Sequence, residues 1–164
     1  MNAKTARRAL PALLGALLLL SLLTACGGSA AKNVPVADVA QAVVSALGKG
    51  DSLAASDGMF LGLTRLKAED LGEYQILLNV YGTNVDEFGV FKAGTGSMDA
   101  AALKAAAEDY LQKRLAAWMD EYMPEEKPKL SGAEVRTQGD YVIYCILSDA
   151  DRRAAFDAFE QALR

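Results

Sequence analysis

Residues 139–147 read G-D-Y-V-I-Y-C-I-L, and this stretch decides the fold. The run Tyr141–Leu147 is uncharged and rich in aromatic and β-branched residues, as expected of a buried strand. Gly139-Asp140 forms a two-residue turn before it, so the stretch predicts a hairpin with residues 134–138. Cys145, inside the run, is expected to behave as a small core residue.

The hydrophobic pattern on either side of this hairpin predicts the remaining elements. They are a helix over 36–47, a helical turn over 68–71, strands over 74–81 and 87–93, a helix from Ser97 to Met123, and a helix over 149–163. Ser97 and Ser148 are expected to cap the helices that they precede, and residues 51–62 are expected to be irregular. The order α-β-β-α-β-β-α, joined by hairpins, predicts an α+β fold: an antiparallel sheet of four strands with helices packed on it.

The N-terminus has the pattern of a secretory signal peptide. Lys4, Arg7 and Arg8 precede an uncharged stretch that runs from Ala9 to Ala25. The alternative is a permanent transmembrane helix, but the apolar stretch is shorter than the roughly 20 residues that a bilayer span needs. Residues 1–25 are therefore predicted to be a signal peptide.

The residues just before Cys26 explain why a cysteine follows the apolar stretch. Leu23-Thr24-Ala25-Cys26 resembles the lipobox of bacterial lipoprotein precursors. The resemblance implies cleavage between Ala25 and Cys26, a diacylglyceryl group on the Cys26 thiol, and further acylation with chains such as palmitate. Two chains give stable attachment, at about 0.8 kcal/mol per buried methylene. The predicted location is the extracytoplasmic face of a bacterial cell membrane.

Cleavage also changes the charge of the chain. Removing three of 17 basic residues and none of 21 acidic ones leaves 14 − 21 = −7. A net negative chain is repelled by nucleic acid and by anionic headgroups, so neither is an expected partner. Residues 26–35, small and polar, are predicted to be a flexible tether. Residues 36–164 are long enough for a single globular domain.

Few residues offer catalytic or metal-binding chemistry. The chain contains no histidine and one cysteine besides Cys26, so no zinc site, metal or cofactor is expected. The turn Gly94–Ser97 lies between a strand and a helix, where an anion could bind. It lacks the lysine of a phosphate loop, however, and is interpreted as a plain capped turn.

Four pairs of adjacent carboxylates raise the alternative of an acid–base pair, as in glycosidases. The pairs are Asp86-Glu87, Glu108-Asp109, Asp120-Glu121 and Glu125-Glu126. Hydrolysis of this kind needs two carboxylates that face each other across a bond, and sequence neighbours usually point apart. The pairs are therefore interpreted as solvated surface, and no catalytic residue is predicted.

An aromatic and methionine stripe lies near the end of the long helix. Trp118, Met119 and Tyr122 follow the spacing of one helical face, which is more often core than a ligand groove. If part of the stripe were exposed, it would be the expected binding place for a partner.

Residues 36–164 resemble a known protein family. The resemblance rests on V-D-E-F-G-V-F-K-A (85–93), the long polar-faced helix, G-D-Y-V-I-Y-C-I-L (139–147) and the closing helix. The family consists of small lipoproteins, mainly of Gram-positive, clostridia-like bacteria, and is catalogued as a domain of unknown function. The resemblance implies a surface lipoprotein and supplies no site residue.

Two functional hypotheses follow. The first is a non-catalytic, membrane-tethered binding or scaffold module with a protein or small-molecule partner in the cell envelope. The alternative is a cell-envelope hydrolase that uses carboxylates alone. The absence of a catalytic set in the sequence favours the first.

Overall fold

The sheet is built around the uncharged run of residues 141–147. The structure, a computed structural model, describes residues 31–119 and 121–164. Its strands are β1 (Leu53–Ala55), β2 (Glu73–Asn79), β3 (Glu87–Lys92), β4 (Glu134–Gln138) and β5 (Tyr141–Ile146). Their order is β1-β2-β3-β5-β4, and every neighbouring pair is antiparallel. All six residues of β5 are buried, which confirms the predicted buried strand.

The class of a mixed helical and antiparallel sheet protein is confirmed, but the predicted number of strands is wrong. The described residues form five strands rather than four. The additional strand, β1, lies in the segment 51–62 that was expected to be irregular. Its three residues are too few to show an alternating pattern, and they form a strand because they pair with β2.

Six helices accompany the sheet in the described part of the chain. They are α1 (Val36–Leu47), α2 (Gly58–Thr64), α3 (Ala68–Leu71), α4 (Ala100–Ala116), α5 (Lys127–Ser131) and α6 (Asp149–Ala162). The short helices α2 and α5 were not predicted, because neither is long enough to show a helical period. A 3₁₀ turn over Pro124–Glu126 precedes α5.

The ends of α4 differ from the predicted ones. The side chain of Asp99, not of Ser97, caps the helix by accepting from the Ala102 N–H at 2.8 Å. The helix ends at Ala116, not at Met123, and its last turn carries two cations, Lys113 and Arg114, which favour a helix C-terminus. At the last helix, Ser148 accepts from the Asp151 N–H at 3.2 Å, so this predicted cap is confirmed.

Two separate cores lie on the two faces of the sheet, because alternate residues of β5 point to opposite sides. Tyr141, Ile143 and Cys145 pack with buried residues of α1 and α6. Val142, Tyr144 and Ile146 pack with buried residues of α2, α3, α4 and α5. The result is three layers, with two long helices on one side and a mixed helical layer on the other.

Gly89 of β3 makes room for an aromatic ring in the second core. A Cβ at this position would overlap the ring of Tyr144, which lies across the strand. The ring in turn stacks on Phe60, with centroids 5.8 Å apart. The small residue in E-F-G-V-F therefore sets where the Tyr144 hydroxyl lies.

The two ends of the sheet differ in the groups that they carry. The charged end is where β3 begins and where β2 and β5 end. The opposite end is where β3 ends, and residues 31–35 lie there. Lys32 N–H donates to the Leu163 carbonyl at 3.0 Å, Val34 N–H donates to the Tyr141 hydroxyl at 2.8 Å, and Asn33 accepts from Lys92 at 2.6 Å.

Candidate functional site

Asp86 is the centre of a network of ion pairs at the charged end. It precedes β3, and only 3% of the residue is exposed. Its two carboxylate oxygens each bind a lysine: Oδ2 lies 2.5 Å from Lys49 Nζ, and Oδ1 lies 2.8 Å from Lys129 Nζ. Lys49 follows α1 and Lys129 belongs to α5, so one carboxylate joins the two helical layers.

Two further carboxylates complete the network. Lys49 Nζ also lies 2.7 Å from Asp151 Oδ2 in α6, and Lys129 Nζ lies 2.8 Å from Glu126 Oε2. Glu126 Oε2 accepts from the Val85 N–H at 2.9 Å as well. Each lysine is thus bound by two carboxylates, and the network ties α1, α5, α6 and the start of β3 together.

The pKa shifts agree with a network that holds its charges. Burial alone would lower the pKa of the lysines, but hydrogen bonds to the carboxylates raise the pKa of Lys49 and of Lys129 above the usual value. Burial alone would raise the pKa of Asp151, but the Lys49 ammonium and the Ser148 hydroxyl hold it below the usual value. Lys49, Lys129 and Asp151 are therefore charged at neutral pH.

A cavity of about 310 Å³ lies beside this network. Its lining residues are Glu125, Pro128, Lys129, Leu147, Ser148 and Asp149. Lys129, the one cation among them, is already bound by Asp86 and Glu126. The lining therefore offers no uncommitted cation to an anionic ligand.

Glu87, the neighbour of Asp86, is buried in the second core. Only 2% of it is exposed. Oε1 accepts from the Tyr110 hydroxyl at 2.5 Å and from the Tyr144 hydroxyl at 2.7 Å, and Oε2 lies 3.3 Å from Arg114 Nη2. The interpretation of Asp86-Glu87 as solvated surface is therefore wrong: both carboxylates are buried, because opposite charges and hydroxyls replace their water.

The carboxylate pairs Glu108-Asp109 and Glu125-Glu126 do not face each other across a cleft. Glu108 pairs with Lys104 and Asp109 with Lys113 on the exposed side of α4. Glu125 is exposed and Glu126 is buried. Glu121 is exposed, while its partner Asp120 lies outside the described residues. The described pairs, Glu108-Asp109 and Glu125-Glu126, therefore stabilise helices and a turn and do not form an acid–base pair.

The turn Gly94–Ser97 packs against another turn instead of opening a ligand site. Ser97 Oγ lies 3.1 Å from Asp70 Oδ1, and Thr95 Oγ1 accepts from the Glu73 N–H at 2.7 Å. A Cβ on Gly96 would overlap the Asp70 carbonyl. The adjacent cavity, of about 360 Å³, is lined by Asp99 and Asp140, which repel an anion. The close approach of two backbones explains the small residues of this turn.

Cys145 is enclosed by the first core. None of it is exposed, and burial raises the pKa of its thiol. Since the thiolate is the nucleophile, this thiol is unreactive in the folded chain.

We therefore expect Cys145 to resist labelling by a thiol reagent in residues 27–164 under native, mildly alkaline conditions, and to react fully in urea. The number of labelled thiols is read by mass spectrometry. Replacement with Ser should destabilise the chain more than replacement with Ala, because a buried hydroxyl needs a hydrogen-bond partner. Rapid labelling without urea would contradict the buried position.

The stripe near the end of α4 is only partly in the core, contrary to the sequence-based interpretation. Trp118 packs against the second core, but Met119 is 66% exposed and Tyr122 is 53% exposed. Leu115, in the last turn of α4, is 36% exposed. These four residues are called the apolar patch. The predicted helical face is wrong for Trp118, Met119 and Tyr122, because α4 stops at Ala116 and these residues lie in the loop that follows it.

Two further features are absent from the described residues, a cluster of metal ligands and a membrane-spanning helix. No group of three or more His, Cys, Asp or Glu side chains is arranged to hold a metal ion within that part of the chain. None of the described helices is long and apolar enough to cross a membrane. Ala25 and Cys26, the predicted cleavage and lipidation residues, lie outside the described residues, as does the predicted signal peptide.

Comparisons with known proteins give one result. A family model described as "Domain of unknown function (DUF4358)" matches residues 50–147, more than half of the chain. No curated protein and no solved structure matches. The matched range contains Asp86, Glu87, Lys129 and the apolar patch, so the main features of the charged end lie within the family domain.

Proposed function

The chain belongs to the family described as Domain of unknown function (DUF4358), and we propose that it is a lipid-anchored binding module on the extracytoplasmic side of a bacterial membrane. The observation that carries the binding role is the exposure of Met119 and Tyr122 beside Trp118. Large apolar side chains that are exposed together typically mark an interaction surface.

The proposed anchor is Cys26, and its support is the sequence L-T-A-C at the end of a signal-peptide pattern. Residues 31–35 make hydrogen bonds to the opposite end of the sheet. The link between the lipid and the first of these contacts would then be short. The domain would be held close to the membrane rather than at the end of a long tether.

The charged groups support binding over hydrolysis. A carboxylate-based hydrolase needs an acid and a base that both reach the substrate. The buried carboxylates Asp86 and Glu87 are instead bound by lysines, by an arginine and by tyrosine hydroxyls. These bonds give each of them a role in holding the fold together.

The anchor is tested by growing cells with an alkyne fatty-acid analogue and detecting it on the purified protein. The unaltered chain is expected to carry the label and to stay with the membrane fraction. Cys26→Ala should lose the label and leave the membrane fraction or remain unprocessed, because the thioether attachment point is gone. Cys145→Ala is the matched control and should keep the label. An equally labelled Cys26→Ala chain would contradict the proposed anchor.

A further inference from the structure

Exposed apolar side chains are concentrated at the charged end of the sheet. Six large apolar residues are exposed in the described part of the chain. Val80 and Tyr81 follow the end of β2, and Leu115, Met119 and Tyr122 lie at or beyond the end of α4; only Met59, in α2, lies elsewhere. Within this set, Tyr122 contacts Trp118, so the apolar patch is the part of this end where exposed apolar side chains adjoin a packed aromatic ring and can bind another molecule.

Trp118 gives the apolar patch a fixed base. Its ring packs against the second core and lies 5.6 Å from the Tyr122 ring, with the two planes tilted by 57°. An aromatic residue held in this way loses little conformational entropy when a partner binds, which is typical of residues that dominate binding energy.

The charges around the apolar patch are unbalanced. The cations of the adjoining helices are already engaged: Lys113 with Asp109, Arg114 with Glu87, and Lys129 with Asp86 and Glu126, while Lys127 also has a partner. Glu121 and Glu125 are exposed, and neither forms an ion pair with another described residue. The rim of the patch is therefore acidic, which favours a basic partner and repels anionic headgroups.

The N-terminal segment lies at the other end of the sheet. Residues 32–34 contact Leu163, Lys92 and Tyr141. The six residues of β3 separate the two ends by about 20 Å at the usual rise of a strand. Five residues from Cys26 to Ala31 span at most about 18 Å. If Cys26 is anchored, as the proposed function requires, this link keeps the opposite end within about 18 Å of the lipidated thiol.

We infer that the apolar patch docks a protein segment that presents apolar side chains flanked by lysine or arginine. The apolar side chains of the partner cover Met119, Tyr122 and Leu115, and its cations pair with Glu121 and Glu125. This inference deepens the proposed function by naming the surface and the class of partner. A protein is the occupant, because the acidic rim formed by Glu121 and Glu125 repels anionic headgroups and complements the basic flanks of such a segment.

Trp118 is the only tryptophan of the chain, so its fluorescence reports on the patch directly. The full chain is reconstituted into phosphatidylcholine vesicles and titrated with a short tryptophan-free peptide of alternating leucine and lysine. We expect a saturable change in Trp118 emission. A peptide with glutamate in place of lysine, and one with serine in place of leucine, should give no change.

Variants locate the binding on the protein. Met119→Ser, and separately Glu121→Lys with Glu125→Lys, should each weaken binding about tenfold, the loss typical of a central contact. Met59→Ser is the matched control for the apolar change, and Asp157→Lys for the charge change, since both residues are exposed away from the patch. Both controls should bind as the unaltered chain does.

Four results would overturn the inference. The first two are equal binding of the leucine–glutamate peptide and an equal loss of peptide binding in the Met59→Ser control. The other two are quenching of Trp118 emission by brominated lipids in the vesicle, and a change of Trp118 emission that occurs without peptide and follows dimer formation. The quenching result would assign the patch to the membrane, and the dimer result would assign it to a second copy of the chain. The anchor itself is read separately by the fatty-acid label on Cys26, so loss of that label and loss of peptide binding are distinguishable failures.

Discussion

Glu87→Ala is expected to destabilise the domain by about 3–5 kcal/mol, the usual cost of removing one partner from a buried charge pair. The loss is a large part of the total, because small domains unfold with only about 5–15 kcal/mol. The carboxylate accepts from Tyr110 and Tyr144 and neutralises Arg114. Its removal leaves two buried hydroxyls without this acceptor and leaves Arg114, whose side chain is only 14% exposed, without its counter-charge.

The geometry explains why the loss should be so large. Arg114 contacts Glu87 through one nitrogen at 3.3 Å, and its Nε is buried without a hydrogen-bond partner among the described residues. This cation therefore has little else to replace the carboxylate. Glu87→Gln keeps an acceptor for the tyrosines but not the charge, so its cost should be smaller, about 2 kcal/mol.

The measurement is urea unfolding of residues 27–164, followed by circular dichroism. Glu121→Ala is the matched control, because this exposed glutamate should change the stability by less than about 0.5 kcal/mol. A double-mutant cycle of Glu87→Ala with Arg114→Ala should give a coupling of more than about 1 kcal/mol. A Glu87→Ala chain as stable as the control would mean that the buried ion pair is not formed.

The sequence predicts most of the fold, because the strongest elements have strong local signals. β5 is an unbroken apolar run, and α1 and α6 each show an apolar face and a clear stop or cap. β1 has no such signal, since its three residues become a strand only by pairing with β2. The apolar period of residues 100–116 predicts which residues of α4 share a face. It does not predict that the helix ends before Trp118.

The charged end was largely missed, because its partners are far apart in the sequence. Glu87 is 23 residues from Tyr110 and 57 from Tyr144, so adjacency to Asp86 suggested surface instead of burial. One local signal was available: Glu87 begins the apolar strand E-F-G-V-F, and the period of two places it on the same face as Gly89 and Phe91. An acid on a core face needs a buried partner.

The same buried groups predict a stability that begins to decline at about pH 8.5, where the Cys145 thiol of the unfolded chain ionises, and that falls more steeply above about pH 10. Burial, together with the Glu87 charge, raises the pKa of Tyr110 and of Tyr144 far above the usual 10. In the unfolded chain both hydroxyls ionise near pH 10, while in the folded chain they stay protonated. The unfolded state therefore binds fewer protons above pH 10, so the free energy of unfolding falls as the pH rises.

The expected size of the effect follows from the number of groups. Each buried tyrosine contributes a slope of about 1.4 kcal/mol per pH unit, so the two together remove about 4 kcal/mol between about pH 10 and 11.5. The pKa of Lys49 and of Lys129 is also raised, so their ion pairs are fully present below about pH 10.4 and are lost as the pH passes through the folded values. Ionisation of the tyrosines and loss of the lysine ion pairs therefore both lower the free energy of unfolding as the pH rises.

Urea unfolding over a series of alkaline pH values measures this loss, and the ultraviolet absorbance of tyrosinate shows when the hydroxyls ionise. Tyr144→Phe should lower the stability at neutral pH, because Glu87 loses a donor, yet it should also flatten the alkaline decline by about 1.4 kcal/mol per pH unit. Tyr81→Phe, which alters a 66% exposed residue, should leave the steep decline unchanged. A decline of equal slope in the Tyr144→Phe chain would contradict a buried Tyr144 hydroxyl, because the slope is a count of the protons that only the folded state retains.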